Sequence, residues 1–378
     1  MYPLLKINKQ KILENTKAII KRTKKLGVEV TAVTKCTGGN LEIAQAFLDG
    51  GATSIGDSRI SNLRNLAPLA CEKWLIRMPM PSEVNHTVAY ATLSLNSEIK
   101  TIRLLNQAAK AQGKTHGILY MLDLGDLREG LFIGDGSPAK AEIEALVLAS
   151  FAKLDQDFEE IAAMTNISLR GIATNATCVG ATIPNAQTFG AFFKIKTMLE
   201  EKYQRPCEII SGGNSSAYYL VDDETLPAEI NNLRLGDVIL FGRESAYYHC
   251  YDYLHQDAFI LDVEIIELQD KPTYPVGEIG RNAFGEIPSF KDKGIRRRAI
   301  CGLGRQDTDT DHIFPLVPGL TIVGSSSDHL VIDVSDAETT YAMTYQVGDI
   351  ISLRCDYVGA LHAATSSYVD KIVINQLI

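Results

Sequence analysis

The feature that most limits the fold is a regular alternation of short strand-like and longer helix-like segments between residues 28 and 235. The first strand-like run, 28–34, is rich in β-branched side chains, and segments with helical periodicity separate it and the later short runs. Repeated strand–helix units favour a parallel sheet, and eight of them predict a closed (β/α)₈ TIM-type barrel, an α/β fold. The eight predicted strands are residues 28–34, 53–56, 74–78, 91–95, 117–124, 169–174, 208–211 and 232–235.

The pattern changes after about residue 240. Helical periodicity fades, and alternating strand-like runs are broken by Pro, Gly and Asp-rich turns, which predicts a mostly β C-terminal domain. We therefore divide the chain into a barrel at residues 9–240 and a β domain at residues 241–378. Residues 1–8 form a predicted strand that could join the second domain.

Composition narrows the class of function. The chain has 378 residues and a net charge of −9 without a basic tract, which argues against nucleic acid as a partner. No apolar run approaches the roughly 18 residues of a membrane-spanning helix, and the first residues lack a signal-peptide pattern. The seven cysteines are scattered, with no CxxC pair, so neither a disulfide framework nor a zinc site is indicated. We expect a cytoplasmic, enzyme-sized protein.

A lysine, Lys35, directly follows the first barrel strand and precedes a turn containing Gly38 and Gly39. The C-terminal ends of barrel strands are where such folds carry their chemistry. A lysine at this position can lose its proton and form a Schiff base with a carbonyl group. It can also be an ordinary lysine at a strand end, and the stretch alone leaves both interpretations open.

Other strand ends carry polar groups that would converge on the same face. The run 211–216, Ser-Gly-Gly-Asn-Ser-Ser, is a candidate phosphate cradle or an ordinary Gly/Ser turn. Arg128 could hold a phenolate or carboxylate, or belong to a surface ion-pair cluster. Arg234 lies between two leucines of the eighth strand, so its side chain should point oppositely from theirs, into the barrel mouth.

The β domain contains two compact polar clusters, one around Asp307 and one around Asp328 and His329. A histidine beside a carboxylate can serve as a general acid or base, or as a metal ligand. A structural histidine explains the pair equally well, and no metal site is predicted.

Taken together, these motifs resemble the pyridoxal-phosphate (PLP) enzymes of the alanine racemase fold, fold type III, and most closely their ornithine racemase-like branch. The resemblance covers nearly the whole chain and as a set its motifs are specific. The stretches that carry it are Ala32-Val-Thr-Lys35, Asp57-Ser-Arg-Ile-Ser-Asn-Leu, Ile76-Arg-Met-Pro, Ser94-Leu-Asn-Ser, Asp123-Leu-Gly-Asp-Leu-Arg-Glu-Gly, Ser211-Gly-Gly-Asn-Ser-Ser, Asn231-Asn-Leu-Arg-Leu-Gly, Gly277-Glu-Ile-Gly, Lys293-Gly-Ile-Arg, Gly304-Arg-Gln-Asp and Ser326-Ser-Asp-His.

The resemblance implies a role for each matching residue. Lys35 would bind PLP covalently and act as one base. Arg128 would lie near the phenolic oxygen of the cofactor, and Arg234 would face its pyridine nitrogen. Asn175 stands where the family has a histidine, among the cofactor-binding residues. The residues implied at the phosphate are Gly213, Asn214, Ser215, Gly236, Asp237 and, from the second domain, Tyr357.

The sequence departs from the family at the second base. Alanine racemases supply a tyrosine from the partner subunit in a Gly-Tyr-Gly-Asp run, and Leu303 stands at that position here. Two-base racemisation needs a proton-transfer group on the face opposite Lys35. His329 and Asp307 rank first as that group. Asp307 and Asp328 could also pair with the distal ammonium of a basic substrate.

The resemblance therefore implies a PLP-dependent racemase of a small-molecule substrate, a basic amino acid such as ornithine or lysine. It also implies a homodimer with shared active sites. Two alternatives stay open at this point. One is a metal-assisted lyase similar to D-threonine aldolase, for which the Asp328–His329 pair is the motivating feature. The other is a non-catalytic PLP carrier, against which the whole β domain counts.

Overall fold

The computed structural model describes residues 1–134, 141–204 and 206–375, with only the backbone of residues 141, 143 and 144. The chain divides into two compact units. One is Lys11–Gln256, and the other combines Met1–Gln10 with Asp257–Ile378. The described strands are β1 (Leu4–Asn8), β2 (Glu29–Val33), β3 (Ser54–Asp57), β4 (Glu72–Leu75), β5 (Leu93–Asn96), β6 (His116–Asp123), β7 (Leu131–Phe132), β8 (Ile167–Ala173), β9 (Ile209–Ser211), β10 (Asn232–Leu235), β11 (Phe259–Pro272), β12 (Ile295–Cys301), β13 (Ile313–Pro315), β14 (Thr321–Ser325), β15 (Leu330–Asp333), β16 (Ile350–Cys355) and β17 (Asp370–Ile374).

The helices alternate with the strands in the first unit and are sparse in the second. They are α1 (Lys9–Lys25), α2 (Leu41–Asp49), α3 (Ile60–Asn65), α4 (Val84–Tyr90), α5 (Ile99–Ala111), α6 (Ala141–Ala162), α7 (Phe189–Tyr203), α8 (Tyr218–Asp222), α9 (Asp237–Phe241), α10 (Ser335–Tyr341) and α11 (Tyr357–Thr365). Within the described ranges, no helix has both the length and the apolar character needed to cross a membrane.

The first unit is a closed parallel barrel. Its strands pair in the order β5-β4-β3-β2-β10-β9-β8-β6, and a pairing between β5 and β6 closes the ring. The short strand β7 adds to the edge of β6. Each of the eight predicted strands overlaps one strand of the ring. The predicted (β/α)₈ fold class is therefore confirmed.

Local sequence explains how the barrel elements form. The side chain of Asn40 caps α2 by accepting from the backbone N–H groups of Glu42 at 3.0 Å and Ile43 at 3.1 Å. Helix α1 buries Ile12 and Ile19 on one face. Trp74 belongs to a buried barrel cluster with the apolar residues Leu93, Leu95, Leu119, Met121, Ala173 and Ile209. Burying this apolar surface is the main force that holds the ring together.

The second unit is built on a mostly antiparallel sheet in the order β13-β16-β11-β12-β15-β14. The first strand of the chain, β1, belongs to this sheet and pairs antiparallel with β11 and parallel with β17. Helices α10 and α11 complete the described part of the unit. A mostly β domain following the barrel is thus confirmed.

The two units divide after Gln256, later than the predicted boundary between residues 240 and 241. The intervening residues stay with the barrel because aromatic packing and backbone bonds hold them there. The ring of Tyr251 packs edge-on against Tyr218 with centroids 5.2 Å apart, and its N–H donates to the carbonyl of Gly242. The segment 242–256 itself contains no regular strand or helix, which is why periodicity does not reveal its packing.

Candidate active site

Lys35 begins a 3₁₀ turn, Lys35–Thr37, immediately beyond the C-terminal end of β2. The lysine is exposed. Asp57, fully buried at the end of β3, fixes the backbone just before it by accepting from the hydroxyl of Thr34 at 2.7 Å. Its other oxygen accepts from the N–H of Arg59 and the amide of Asn62. Burial raises the pKa of Asp57, and these hydrogen bonds oppose that effect.

The loops after β9 and β10 form a small cradle of hydrogen-bond donors. The hydroxyl oxygen of Ser215 accepts from the backbone N–H groups of Gly236 at 3.3 Å and Val238 at 3.2 Å. Gly213 has φ +127°, a left-handed conformation that favours glycine. A β carbon on Gly236 would lie 3.1 Å from that of Val33, so the cradle is beside the strand that leads to Lys35. Converging N–H and O–H groups of this kind suit a phosphate.

Two further residues of the predicted phosphate set lie in the same loops. The side chain of Asn214 accepts from the N–H of Ser216 at 2.8 Å and donates to the carbonyl of Ala176 at 3.0 Å, which joins the loop after β9 to the loop after β8. Asp237 is the first residue of α9, next to the cradle N–H groups. Val238 contributes one of those groups and was not predicted from the sequence.

Arg234 is buried, with 3% of its surface exposed. Its guanidinium donates to the hydroxyl of Ser211, to the carbonyl of Thr174 at 2.6 Å and to the side-chain oxygen of Asn175 at 2.7 Å. Burial lowers the pKa of Arg234 to about 10, and the charge of Glu129 works in the opposite direction. The group is therefore still a cation at neutral pH, placed at the C-terminal ends of β8 and β9.

Asn175 links this arginine to a second charged pair. Its side-chain nitrogen donates to a carboxylate oxygen of Glu129 at 2.5 Å. The same oxygen accepts from Arg128 at 2.5 Å, and a second contact joins the two side chains. Arg128 is thus in an ion pair at the barrel mouth, with 38% of its side chain exposed.

Asp126 shapes the loop that surrounds Asn175. It is only 2% exposed, and its carboxylate accepts from the backbone N–H groups of Cys178, Val179 and Thr182 at 3.0–3.3 Å. The hydroxyl of Thr182 adds a further bond. In sequence Asp126 is one of the acidic neighbours of Arg128, but its hydrogen bonds go to this loop.

In the second unit, two loops bring Asp307 and the Asp328–His329 pair close together. The N–H groups of Arg305 and Gln306 donate to the carbonyls of Ser326 and Ser327, both at 3.0 Å. Asp307 is 5% exposed and accepts from the N–H of Gly304 at 2.8 Å. Burial raises the pKa of Asp307, and the negative charge of Asp328 adds to this shift.

The Asp328–His329 pair is exposed. The Nδ1 atom of His329 lies 2.8 Å from a carboxylate oxygen of Asp328. This hydrogen bond, followed by those from neighbouring serines, lowers the pKa of Asp328. Because this contact uses Nδ1, the Nε2 atom is the ring nitrogen that could exchange a proton with a substrate.

Tyr357 is the first residue of α11, a helix capped by Asp356, which accepts from the N–H groups of Val358 and Gly359. The Nδ1 atom of His312 lies 2.8 Å from the other carboxylate oxygen of Asp356. The hydroxyl of Thr308 donates to the carbonyl of Gly359 at 2.8 Å, so the helix is attached to the loop that carries Asp307. The sequence does not indicate a role for His312, because its partner Asp356 is 44 residues away along the chain.

The structure thus collects the predicted residues into two sets, one in each unit. At the C-terminal ends of the barrel strands lie Lys35, Arg128, Asn175, Gly213, Asn214, Ser215, Arg234, Gly236 and Asp237. In the second unit lie Asp307, Asp328, His329 and Tyr357. Asp57, Asp126, Glu129, Val238 and His312 join them as residues to which the sequence motifs assign no individual role.

Known proteins resemble this chain over almost its whole length. Residues 7–244 match the family model described as alanine racemase, N-terminal domain. The ornithine racemase of Acetoanaerobium sticklandii is 40% identical over 371 residues, 98% of this chain and 99% of that protein. The lysine racemase of Thermotoga maritima is 33% identical over 98% of both chains. The alanine racemase from Bartonella henselae, solved with covalently bound pyridoxal phosphate, superposes with a TM-score of 0.67 at 15% identity, covering 98% of this chain and 99% of that one. The chain therefore belongs to the alanine racemase family.

Proposed function

We propose that the protein is a PLP-dependent amino-acid racemase whose preferred substrate is ornithine, with lysine as a second substrate. The observation that carries this proposal is the 40% identity to an ornithine racemase across nearly the entire chain. The lysine racemase relative supports a basic substrate independently. Both relatives are isomerases by name, so the lyase and carrier alternatives are not favoured.

The barrel residues fit PLP. Ser215 with the N–H groups of Gly236 and Val238 provides donors for a phosphate, and Lys35 supplies the amine for covalent attachment. Arg234 is the residue for the ring nitrogen. Bound PLP withdraws electrons from the Cα–H bond of the substrate and so makes that proton removable.

Arg234 sets how strongly this withdrawal acts. A guanidinium donates hydrogen bonds and has no acceptor atom, so it cannot take up the proton of a pyridinium nitrogen. Arg234 would therefore leave the ring of bound PLP neutral, which would make the cofactor a weaker electron sink. A weaker sink favours rapid return of the proton to Cα over side reactions such as transamination, which suits racemisation.

The proton transfers are assigned to one group on each face of the substrate. The Nζ atom of Lys35 takes or returns the Cα proton on one face. On the other face we assign the role to Asp307 or His329. Asp307 is supported by its burial, since a carboxyl with a raised pKa is a better base. His329 is supported by its hydrogen bond to Asp328, which leaves Nε2 for the transfer. Asp328 and Asp307 are the carboxylates for a distal ammonium.

Racemisation is tested with purified holoenzyme and L-ornithine in D₂O. Chiral chromatography should show D-ornithine accumulating, with deuterium at Cα in both enantiomers. Lys35→Ala should reduce the rate by at least about 10²–10⁴-fold and abolish the visible PLP band. Lys110→Ala, which removes an exposed lysine from α5, is the matched control. Absence of inversion with every basic amino acid would overturn the proposal.

The same preparation separates the alternatives. Cleavage of β-hydroxy amino acids that is lost on chelation would favour the metal-assisted lyase. Binding of PLP without turnover of any amino acid would favour the carrier.

We also propose a cytoplasmic homodimer with shared active sites. All seven cysteines are free thiols, which suits a reducing compartment.

Sharing of active sites between subunits is tested by mixing two inactive variants. One is Lys35→Ala, and the other is whichever of Asp307→Asn or His329→Gln is inactive. Random reassociation yields about half heterodimers, each with one intact site, so about a quarter of the wild-type rate should return. If every site lies within one subunit, no activity returns. Light scattering gives the oligomeric state.

A further inference from the structure

We propose that Glu129 is the counter-charge of Arg234 and acts on it through Asn175, so that it sets the electrostatic potential at the barrel mouth. Glu129 is thus a positioning residue. The inference rests on the proposed function, because it concerns the place assigned to PLP. It also concerns a residue for which the family resemblance implies no role.

Consecutive hydrogen bonds join three side chains in the order Arg234, Asn175 and Glu129. Arg234 donates to the oxygen of the Asn175 amide at 2.7 Å, and the nitrogen of the same amide donates to Glu129 at 2.5 Å. The Glu129 side chain is 21% exposed, and Arg234 is almost fully buried. The carboxylate therefore acts from the edge of the site on a cation in its interior, where charges are poorly screened.

Asn175 is suited to join these two groups. The central residue must accept from a guanidinium on one side and donate to a carboxylate on the other. A side-chain amide does both while remaining neutral. An aspartate could accept from Arg234 but would repel Glu129, and a leucine could do neither. The two partners also fix which end of the amide is oxygen.

The charges near these three side chains show which positive charges Glu129 must balance. Arg234 experiences Glu129 as an attractive charge and Arg128 as a repulsive one, with the thiol of Cys178 also nearby. Neutralising Glu129 removes the carboxylate that pairs with Arg128 and that contacts Arg234 through Asn175. Two arginines then remain at the barrel mouth without that counter-charge. The local potential then becomes more positive, and nearby groups lose protons more readily.

Cys178 provides a built-in reporter of that potential. Neighbouring protein atoms partly desolvate the thiol and raise its pKa, Arg128 and Arg234 lower it, and Asp126 and Glu129 raise it. The side chain of Asn214 also donates to the sulfur at 3.3 Å. The cysteine residue is exposed, so its alkylation can be followed directly. A thiolate forms more readily when a neighbouring negative charge is removed.

The experiment compares Glu129→Gln with wild type in the holoenzyme. Glutamine keeps an oxygen that accepts from Asn175 and removes the charge. Alkylation by iodoacetamide, read at the Cys178 peptide by mass spectrometry across pH, should become about 3–10-fold faster below the thiol pKa, which corresponds to a lower pKa of up to about one unit. The pH titration of the visible PLP band should shift to lower pH in parallel.

Glu83→Gln is the matched control, since Glu83 pairs with Arg77 at 2.9 Å in another barrel loop. It should leave both titrations at their wild-type positions. Glu129→Asp keeps the charge and should stay closer to wild type than Glu129→Gln. If Glu129→Gln does not fold, the proposal is tested with Glu129→Asp and Arg128→Gln. Arg128→Gln should slow the alkylation of Cys178, because it removes a positive charge that lowers the pKa of the thiol.

The inference is overturned if Glu129→Gln behaves like Glu83→Gln, or if Glu129→Asp shifts the Cys178 profile as far as Glu129→Gln. Failure of the proposed function looks different. In that case wild-type enzyme does not racemise basic amino acids, while the Cys178 profile still reports whether Glu129 balances the arginines.

Discussion

Several carboxylates of this protein organise loops by accepting hydrogen bonds from backbone N–H groups or hydroxyl groups. Asp57 fixes the turn before Lys35, and Asp126 gathers three N–H groups of the loop after β8. Asp356 holds both the first turn of α11 and the ring of His312. Hydrogen bonds to a charged acceptor contribute roughly 1.5–3 kcal/mol each, more than most exposed ion pairs. Single residues of this kind give the site its rigidity.

The His312–Asp356 pair makes stability depend on pH. The hydrogen bond from Asp356, followed by its charge, raises the pKa of His312 above its ordinary value. The folded protein thus binds this proton more tightly than the unfolded chain. The resulting stabilisation is complete below the unfolded pKa of about 6.5 and is lost as pH rises through the higher folded value. We expect the urea midpoint, measured by circular dichroism, to fall as pH rises through that range in the wild-type protein. His312→Gln should abolish this part of the pH dependence.

His362→Gln is the control for this prediction, because it removes an exposed histidine from α11 itself. Its pH profile should follow that of wild type. Identical pH dependence in wild type and His312→Gln would contradict the assignment.

Among the elements, the two polar loops of the second unit are joined tightly. A β carbon on Gly304 would lie 2.2 Å from both the nitrogen of Asp328 and the carbonyl oxygen of Ser327. Only hydrogen fits there, because both neighbours are backbone atoms. The close approach keeps Asp307 and the Asp328–His329 pair in one region.

Gly304→Ala should therefore separate the loops. Overpacking of this kind typically costs about 1–3 kcal/mol in the free energy of unfolding, and racemisation should fall with it. Gly302→Ala is a matched control two residues away, since its β carbon would meet only Ile266 at 3.9 Å. Chemical denaturation and ornithine turnover measure both effects. Equal losses in the two variants would show that the loop contact is unimportant.

The elements also show how far the sequence could predict the structure. The strand run 117–124 is visible because burial on both faces favours a nearly continuous series of apolar residues. Helix α11 was not predicted, since its Gly- and Ala-rich sequence has little amphipathic pattern. Lys35 and Ser215 could be found because they lie in loops that follow strands. The Asn175–Glu129 and His312–Asp356 contacts could not, because sequence does not reveal how separate loops align.

At the scale of the whole molecule, each unit has its own core and can respond separately to denaturant. The chain has a single tryptophan, Trp74, and it is buried in the barrel. Its fluorescence therefore reports on the barrel alone, whereas far-ultraviolet circular dichroism reports on both units.

We expect the two signals to give different urea transitions, because two cores need not unfold together. Adding PLP at about 100 times its dissociation constant should stabilise the folded barrel by about 2.7 kcal/mol and move the Trp74 transition to higher urea. The Lys35→Ala variant should show a smaller shift. Coincident transitions without PLP would indicate one cooperative unit.

The pairing of β1 with β11 and β17 has a consequence for synthesis of the protein in the cell. About 250 residues, the difference between positions 8 and 259, separate β1 from its nearest partner in the chain. A ribosome that adds about 5–20 residues per second needs roughly 10–50 s to cover that distance. Strand β1 thus waits while the barrel is translated, and its unpaired edge is available to chaperones throughout. Strand β1 is therefore synthesised before the barrel strands and reaches its final place after β11 has been made.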